Sequence, residues 1–262
     1  TEDLDRRDLG ILAHRVLAQF YGERRLGGDQ DAPLTLDDLP AARADLERCL
    51  RQAADAWTER VFGAPQVWQQ AIARLQEDLE ALLEYEAARN AKNGDSTSPW
   101  PPRQVRDVEV VFGSRGQFAV PTRLPDPIKV QGRIDRVDVA EVEGQRYWVL
   151  WDYKTGDGVS RKLVAAGADL QLPLYALAVR ELYPGEAVGF HLWGYCRVTR
   201  PVGWTQVLRQ SDKPDLTGVL ETARERLADY VEGLRAGRFP AAPNPAADPC
   251  RCCDFAGVCR GK

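Results

Sequence analysis

The stretch that most constrains the fold is the apolar run Trp148–Trp151, which continues as Asp152-Tyr153-Lys154 and breaks at Gly156. A short apolar run ended by glycine is typical of a buried strand. Because successive side chains of a strand point to opposite faces, Asp152 and Lys154 would share one face at the strand's end. A carboxylate beside an ammonium is typical of a functional site, but a surface strand also carries such a pair for solubility. The Asp-x-Lys pattern alone therefore leaves both interpretations open.

The 262 residues suffice for one large domain or two small ones, and the apolar and charged fractions are those of an ordinary globular protein. No run approaches the roughly 20 apolar residues that cross a bilayer, and the first residues do not resemble a secretory signal peptide. The net charge of -4 argues against a generally basic nucleic-acid-binding surface but allows a local basic channel. We expect a cytoplasmic protein, and the complete lack of methionine favours a fragment of a longer or processed polypeptide.

Hydrophobic periodicity divides the chain into a helical part and a sheet part. Apolar residues recur at helical spacing up to about residue 92, and the period becomes that of strands after the loop-forming segment 93–103. Gly144 is expected in a hairpin turn, and Pro173 in the first turn of a helix, where proline is tolerated. The predicted helices are 8–25, 38–62, 65–92, 168–183 and 215–236, and the predicted strands are 105–112, 117–120, 128–134 with its continuation 136–140, 147–153 and 188–198. Loops are expected at 26–37 and after the last strand.

A second acidic residue accompanies the Asp-x-Lys pattern. Asp135 lies in the segment Gly132–Asp138, and Asp135 and Asp152 fall on adjacent strands of the predicted hairpin. Two carboxylates brought together repel each other and are commonly held by a cation, and hard oxygen ligands suit Mg²⁺ or Mn²⁺. Lys154 could orient an attacking water or stabilise negative charge on a phosphate. Asp138 is three residues from Asp135, on the opposite face of a regular strand, and ranks below it as a ligand.

Two helices carry polar residues at one-turn spacing. Gly10 and His14 share a face of the first helix, and Gln171 and Tyr175 share a face of helix 168–183. A lone helical histidine is as compatible with packing or a surface position as with metal binding. Cys49 is most simply a buried core thiol.

The order of these motifs along the chain resembles the PD-(D/E)XK nuclease superfamily, in particular its RecB-like branch. The matching segments are Gly10-x-x-x-His14, Gly132-Arg133-Ile134-Asp135-Arg136, Asp152-Tyr153-Lys154-Thr155-Gly156 and Gln171-Leu172-Pro173-Leu174-Tyr175. The resemblance runs from about residue 9 to residue 260 and implies one nuclease domain over 1–262 with a restriction-endonuclease-like α/β (α+β) core. That core is a mixed central sheet flanked by helices, with a helical part at 1–100, the catalytic sheet and helix at 101–200, and a C-terminal helix and cysteine cluster at 201–262.

The resemblance also implies roles for individual residues. Asp135, Asp152, His14 and the backbone carbonyl of Tyr153 would be metal ligands, and Lys154 would position or activate the nucleophilic water. Gln171 and Tyr175 would contact the DNA backbone or support Lys154, and Glu109 sits where this branch often has an acid. Basic residues between 101 and 136, including Arg133 and Arg136, would contact DNA or form an ordinary solvated sheet surface.

Four cysteines crowd the end of the chain, and Cys250, Cys253 and Cys259 have the spacing C-x2-C-x5-C. This spacing suits zinc or an iron–sulfur cluster, and reduced cysteines without metal are the alternative. The resemblance favours a [4Fe–4S] cluster, as in the AddB-type helicase–nuclease subunits and the CRISPR-adaptation exonucleases, with Cys252 pointing away. The fourth ligand would come from a cysteine upstream of the chain, which we prefer, or from Cys49 or Cys196.

We therefore expect a Mg²⁺- or Mn²⁺-dependent deoxyribonuclease that cuts single strands or duplex ends in DNA recombination and repair. The expected partners are DNA and a helicase subunit or a helicase-like N-terminal region. Binding to a membrane is not expected. Two alternatives remain open: a CRISPR-adaptation nuclease, which the long helical segment 26–103 disfavours, and a catalytically silent DNA-binding or scaffold domain of the same fold.

Overall fold

The fold is a mixed sheet with helices on both faces. The computed structural model describes residues 6–26, 33–57, 65–91, 103–156, 159–187, 189–209, 216–238, 253 and 258–259. In chain order the elements are α1 (Arg6–Leu26), α2 (Leu39–Asp55), α3 (Pro65–Ala91), β1 (Arg103–Phe112), β2 (Ala119–Val120), β3 (Ile128–Lys129), β4 (Gly132–Val142), β5 (Gln145–Lys154), α4 (Arg161–Ala165), α5 (Gln171–Leu182), β6 (Gly189–Arg197), β7 (Gly203–Arg209) and α6 (Leu216–Arg235). This architecture confirms the predicted α/β class.

Five strands form the central sheet in the order β1-β4-β5-β6-β7, and β2 and β3 pair separately. The β5–β6 pair is parallel and the other pairs are antiparallel. A parallel pair needs a crossover connection, which α4 and α5 provide between β5 and β6. The β4–β5 hairpin turns at Glu143 and Gly144, both with positive φ (51° and 74°), as a tight two-residue turn requires. The predicted hairpin turn is thus confirmed.

Strand alternation in β5 divides the core into two layers. Val149, Trp151 and Tyr153 pack with the layer of α1, α2 and α3, whereas Trp148 and Leu150 pack with α5 and α6 on the opposite face. The apolar run is therefore buried on both faces. Because Asp152 and Lys154 follow Trp148 and Leu150 in the alternation, they point towards α5.

Buried charges connect the helical layer to the sheet. Glu86 of α3 lies 2.8 Å from an Arg136 guanidinium nitrogen of β4, and the same guanidinium is 2.6 Å from Asp138. Arg103 of β1 lies beside both acids, and Tyr21 of α1 donates a 2.6 Å hydrogen bond to Glu86. Burial would raise the pKa of Glu86, but the charges of Arg136 and Arg103 lower it to about 2. This buried network (Tyr21, Glu86, Arg103, Arg136 and Asp138) ties α1 and α3 to β1 and β4.

The helical prediction was correct for α1, α3 and α6 to within a few residues, but helix 38–62 was wrong at its end. The helix ends at Asp55, where the Trp57 N–H bonds back to the Ala54 carbonyl. The Trp57 ring then stacks on Trp68 of α3, with the Arg15 guanidinium over it. Tertiary packing of one aromatic residue thus outweighs helical periodicity, and residues 58–64 lie outside the described part of the chain.

Three further boundaries differ from the prediction. The expected strand 128–134 is interrupted after Lys129, because the Val130 N–H bonds to the Phe118 carbonyl instead of to a neighbouring long strand. The expected helix 168–183 begins at Gln171, since the Ala168 and Asp169 N–H groups bond to the carbonyl of Leu163 and close α4. The region after β6 is not wholly a loop, because β7 pairs there with β6.

Candidate active site

The predicted acid Asp135 lies where β4 separates from β5. The paired part of these two strands runs to Arg136 and Trp151. Beyond that pair, the Tyr153 N–H donates a 2.7 Å hydrogen bond to Asp135 Oδ2. The carboxylate thus replaces the backbone carbonyl that would accept this bond in a regular sheet. The other oxygen, Oδ1, lies 3.2 Å from His14 Nδ1. The strand end therefore fixes one face of the carboxylate and presents the other to α1.

His14 reaches this point from the N-terminal half of α1. Its Nε2 lies 3.1 Å from the Tyr153 carbonyl oxygen, so both ring nitrogens face oxygen acceptors. Burial lowers the pKa of His14, but the hydrogen bond and charge of Asp135 outweigh burial and raise it, helped by the charges of Asp152 and Glu109. Gly10, one turn earlier, faces Thr155, whose Cγ2 would lie 3.6 Å from a Cβ at that position. The helix therefore approaches the end of β5 closely.

Asp152 and Lys154 form the second half of the site. Lys154 Nζ lies 2.5 Å from Asp152 Oδ2 and donates a 3.0 Å hydrogen bond to Gln171 Oε1. Gln171 Nε2 lies 2.6 Å from Asp152 Oδ1 and 2.9 Å from the Tyr175 hydroxyl. Gln171 thus bridges the lysine and the acid, which is the arrangement expected if it supports Lys154. All four predicted residues are brought together.

The electrostatics of Asp152 are those of a crowded, buried acid. Its side chain is 2% exposed. Burial and the Asp135 charge raise the pKa of Asp152 to about 6, against the lowering effect of Lys154. Asp152 Oδ2 is buried and lies 2.5 Å from the Lys154 ammonium, so the lysine compensates the charge of this oxygen.

Glu109 joins the site from β1. Ligand atoms of His14, Glu109 and Asp135 all lie within 4.8 Å of one another. Glu109 has φ 50° inside a strand and pairs with Arg133, whose Nε is 2.7 Å from Glu109 Oε2. Burial raises the pKa of Glu109, against the lowering charge of Arg133. In the sequence, the only indication of a role for Glu109 is its position relative to the other motifs. No local pattern predicts the strand distortion at this residue.

A cavity of about 500 Å³ opens beside these groups, between α1 and the β1–β4 strands. Three arginines line it: Arg7, Arg15 and Arg133. Arg7 and Arg15 are eight residues apart on one side of α1, and this helical spacing is a sequence signal that predicts a shared basic face with His14. The lining residues are Arg7, Gly10, Ile11, His14, Arg15, Glu109, Arg133, Asp135 and Tyr175. Acids and cations therefore line the same cavity, as a site for a metal ion and a phosphate requires.

The donor set fits a divalent cation. Ligand atoms of His14, Glu109 and Asp135 lie within 4.8 Å of one another, and the Tyr153 carbonyl oxygen lies 3.1 Å from His14 Nε2. Asp152 is not one of these three residues, but it is close enough for the charge of Asp135 to raise its pKa. Oxygen ligands of this kind suit Mg²⁺ or Mn²⁺. A histidine ligand is more usual for Mn²⁺ than for Mg²⁺. Burial raises the pKa of Asp152, and the negative charge of Asp135 raises the pKa values of both Asp152 and His14. A cation at this strand edge would relieve that charge.

Arg136 was wrongly predicted to contact DNA. It is 1% exposed, its guanidinium belongs to the buried network, and it stacks on the Tyr21 and Trp151 rings. Asp138 is fully buried in the same network, where its carboxylate accepts hydrogen bonds from Arg136 and Trp151. The wider basic surface is also reduced, because Arg103 is buried and Arg106 and Arg123 pair with acids. Arg115, Lys129 and Arg133 remain exposed, and the Arg133 side chain, 60% exposed, pairs with Glu109.

Only two of the clustered cysteines belong to the described residues. Cys253 and Cys259 are exposed, whereas Cys250 and Cys252 lie outside the described part of the chain. Cys49 and Cys196 are fully buried in the core, and burial raises the pKa of the Cys49 thiol to about 11. Among the residues that the structure describes, no group of potential metal ligands includes either of them. The prediction of Cys49 as a core thiol is confirmed, and neither buried thiol is placed as a fourth cluster ligand.

The chain is similar to parts of two helicase–nuclease subunits. It is 30% identical over 200 residues to an ATP-dependent helicase/deoxyribonuclease subunit of Desulforudis audaxviator, covering 71% of the chain and 16% of that relative. The subunit of the same name from Caldanaerobacter subterraneus is 41% identical over 85 residues, covering 30% of the chain and 7% of the relative. The chain thus spans less than a fifth of the length of these curated relatives.

Two observations bear on the class of the protein. Within the described residues, none of the helices is long and apolar enough to cross a membrane. Residues 1–260, nearly the whole chain, match the PD-(D/E)XK nuclease superfamily. This match covers the strand edge where His14, Asp135, Asp152 and Lys154 converge. The chain belongs to the PD-(D/E)XK nuclease superfamily.

Proposed function

We propose that this chain is a deoxyribonuclease domain that requires Mg²⁺ or Mn²⁺ and hydrolyses phosphodiester bonds. The observation that carries the proposal is the convergence of Lys154 with Asp135, Asp152 and His14 at one strand edge beside an arginine-lined cavity. Acids without the lysine would suit a structural cation equally well. The lysine adds a group that can hold a water or a phosphate oxygen, which hydrolysis needs.

The geometry supports a role for each residue of the site. His14, Asp135, Asp152 and the Tyr153 carbonyl would hold the cation, with Glu109 as an additional carboxylate. When bound, a divalent cation supplies Lewis acidity towards a phosphate oxygen and lowers the pKa of a coordinated water. Lys154 would orient the attacking water, and Gln171 would hold Lys154 and Asp152 in register through its 3.0 and 2.6 Å contacts. Tyr175 would fix Gln171 from the cavity side.

The proposed setting is a helicase–nuclease acting in DNA recombination and repair in the cytoplasm. The matched relatives carry the name ATP-dependent helicase/deoxyribonuclease, which supports this setting over CRISPR adaptation. We propose residues 1–262 as one nuclease domain of a longer protein whose partners are DNA single strands or ends and a helicase region. Cys250, Cys253 and Cys259 are proposed ligands of a [4Fe–4S] cluster whose fourth thiolate lies upstream.

The test is cleavage of end-labelled single-stranded DNA by the purified chain in EDTA, Mg²⁺ or Mn²⁺. We expect cleavage only with metal, and a loss of at least about 100-fold in Asp152→Ala and Lys154→Ala. Asp126→Ala removes an exposed aspartate of a loop and serves as the matched control. Equal cleavage by wild type and both site variants would overturn the proposal. DNA binding without cleavage by any of them would instead identify a catalytically silent DNA-binding domain.

A further inference from the structure

One ion pair at the site joins an acid that can bind metal to a cation that can bind DNA. Arg133 Nε lies 2.7 Å from Glu109 Oε2, and both residues line the same cavity as His14 and Asp135. Glu109 is also within 4.8 Å of potential ligand atoms of His14 and Asp135. The carboxylate therefore has two competing cations, the arginine and a metal ion.

The direction of the Glu109 side chain is set by an unusual backbone. Its φ of 50° lies in the left-handed region, which is strained for a residue other than glycine and persists only where the surrounding structure enforces it. Regular pairs flank it on both sides, Val108 with Arg136 and Val110 with Ile134, so the surrounding ladder holds the distortion in place. The distortion occurs opposite Asp135, where β4 leaves the ladder with β5. The strand thus deviates at the residue whose carboxylate lies within 4.8 Å of ligand atoms of His14 and Asp135.

Arg133 is held less firmly than Lys154. Its side chain is 60% exposed and that of Glu109 is 23% exposed. Lys154, by contrast, is 30% exposed, pairs with a carboxylate that is 2% exposed, and is also bonded to Gln171. An exposed ion pair contributes little net stability, whereas an arginine–phosphate contact is charge-assisted and often bidentate. A phosphate can therefore displace Glu109 from Arg133, while Lys154 stays in place.

We propose that Arg133 is an exchangeable partner that competes with the metal for the charge of the Glu109 carboxylate until a DNA phosphate takes the guanidinium. The released Glu109 carboxylate would then serve as an additional ligand of the metal ion. Because linkage is reciprocal, metal binding to Glu109 would equally release Arg133 for DNA. This inference rests on the proposed function. In it, Arg133 and Glu109 couple the binding of the metal ion to the binding of DNA.

The experiment is titration of the chain with Mn²⁺ alone, followed by electron paramagnetic resonance of free Mn²⁺. Arg133→Gln should bind Mn²⁺ about 2–5-fold more tightly than wild type, which corresponds to the loss of an ion pair of about 0.5–1 kcal/mol. Glu109→Gln should bind it more weakly. In the double variant the gain from Arg133→Gln should vanish, because the gain acts through Glu109. Arg7→Gln removes another arginine of the cavity wall and controls for general charge.

The second arm repeats the titration with a phosphorothioate oligothymidylate that resists cleavage. The oligonucleotide should strengthen Mn²⁺ binding in wild type, and the strengthening should be smaller in Arg133→Gln. The inference is overturned if Arg133→Gln leaves the Mn²⁺ affinity unchanged. It is also overturned if the increase in affinity persists in the Glu109→Gln background, or if Arg7→Gln produces an equal increase. If wild type does not bind Mn²⁺, or if Asp135→Ala binds it equally well, the proposed function itself fails.

Discussion

At the scale of the residue, the site is a set of acids kept together by local cations. Asp135 contacts His14, Asp152 contacts Lys154 and Glu109 contacts Arg133. Burial raises the pKa values of Asp152 and Glu109, and the charge of Asp135 raises both further, so Lys154 and Arg133 compensate only part of the cost of these two charges. Such an arrangement trades stability for function, because keeping Asp152 and Glu109 ionised opposes folding.

Asp152→Asn should therefore stabilise the metal-free protein. The pKa of Asp152 is raised from 3.8 to about 6, so the folded state holds the proton more tightly than the unfolded state and ionisation opposes folding. The gain should be absent below about pH 4, grow between pH 4 and 6, and stay constant above, at no more than about 3 kcal/mol. Urea unfolding in EDTA across this pH range measures it, with Asp126→Asn as the exposed control. A loss of stability at pH 7 would contradict this description of the site.

At the scale of the element, α1 and α3 are fixed to the catalytic strands by the buried network. Tyr21 lies two turns after His14 on α1, and its hydroxyl bonds to Glu86 of α3. Glu86 in turn lies 2.8 Å from a guanidinium nitrogen of Arg136, the residue that follows Asp135. The helix that carries the histidine and the strand that carries the acid are thus held by the same charged cluster.

Glu86→Gln should destabilise the fold by about 3–5 kcal/mol, because it leaves Arg103 and Arg136 buried with insufficient negative charge. The matched control is Glu84→Gln on the same helix, whose partner Arg43 forms an exposed ion pair with it. That control should change the free energy of unfolding by no more than about 1 kcal/mol. Urea unfolding of both variants measures the difference, and equal effects would show that the buried network contributes nothing beyond a surface pair.

Elements could be predicted from the sequence where apolar spacing decides their structure. The helices α1, α3 and α6 and the hairpin of β4 and β5 follow from periodicity and from Gly144. The end of α2 and the start of β4 depend on tertiary contacts, such as the Trp57–Trp68 stack, that no local pattern contains. Arg136 was assigned wrongly for the same reason, since its burial depends on Glu86, 50 residues away in the chain.

At the scale of the whole molecule, the candidate site lies where the helical layer and the sheet meet. His14 comes from the first helix, Glu109 from the edge strand and Gln171 from the crossover helix, so a cation bound there would connect three separate parts of the chain. The order of motifs made this convergence predictable. The contribution of Glu109 depended on a distorted strand and was not predictable from spacing.

A cation that binds only the folded state should raise thermal stability. Mn²⁺ at about 100 times its dissociation constant should add about 2.7 kcal/mol to the free energy of unfolding. The midpoint of thermal unfolding should rise with Mn²⁺ in wild type and should not rise in Asp135→Ala. Differential scanning fluorimetry with and without EDTA measures both. A similar rise in both proteins would place the stabilising cation somewhere other than the strand edge.

The most direct test of the proposed metal site is anomalous diffraction from crystals of the chain soaked in Mn²⁺. We predict an anomalous peak at the edge of β4 and β5, within about 2–2.5 Å of oxygen atoms of Asp135 and Asp152 and of His14 Nε2. In that state His14 Nε2 would bind the ion in place of its contact with the Tyr153 carbonyl. A Mn²⁺-dependent nuclease whose crystals show the ion elsewhere, with Asp135 and Asp152 free of it, would contradict the proposed site.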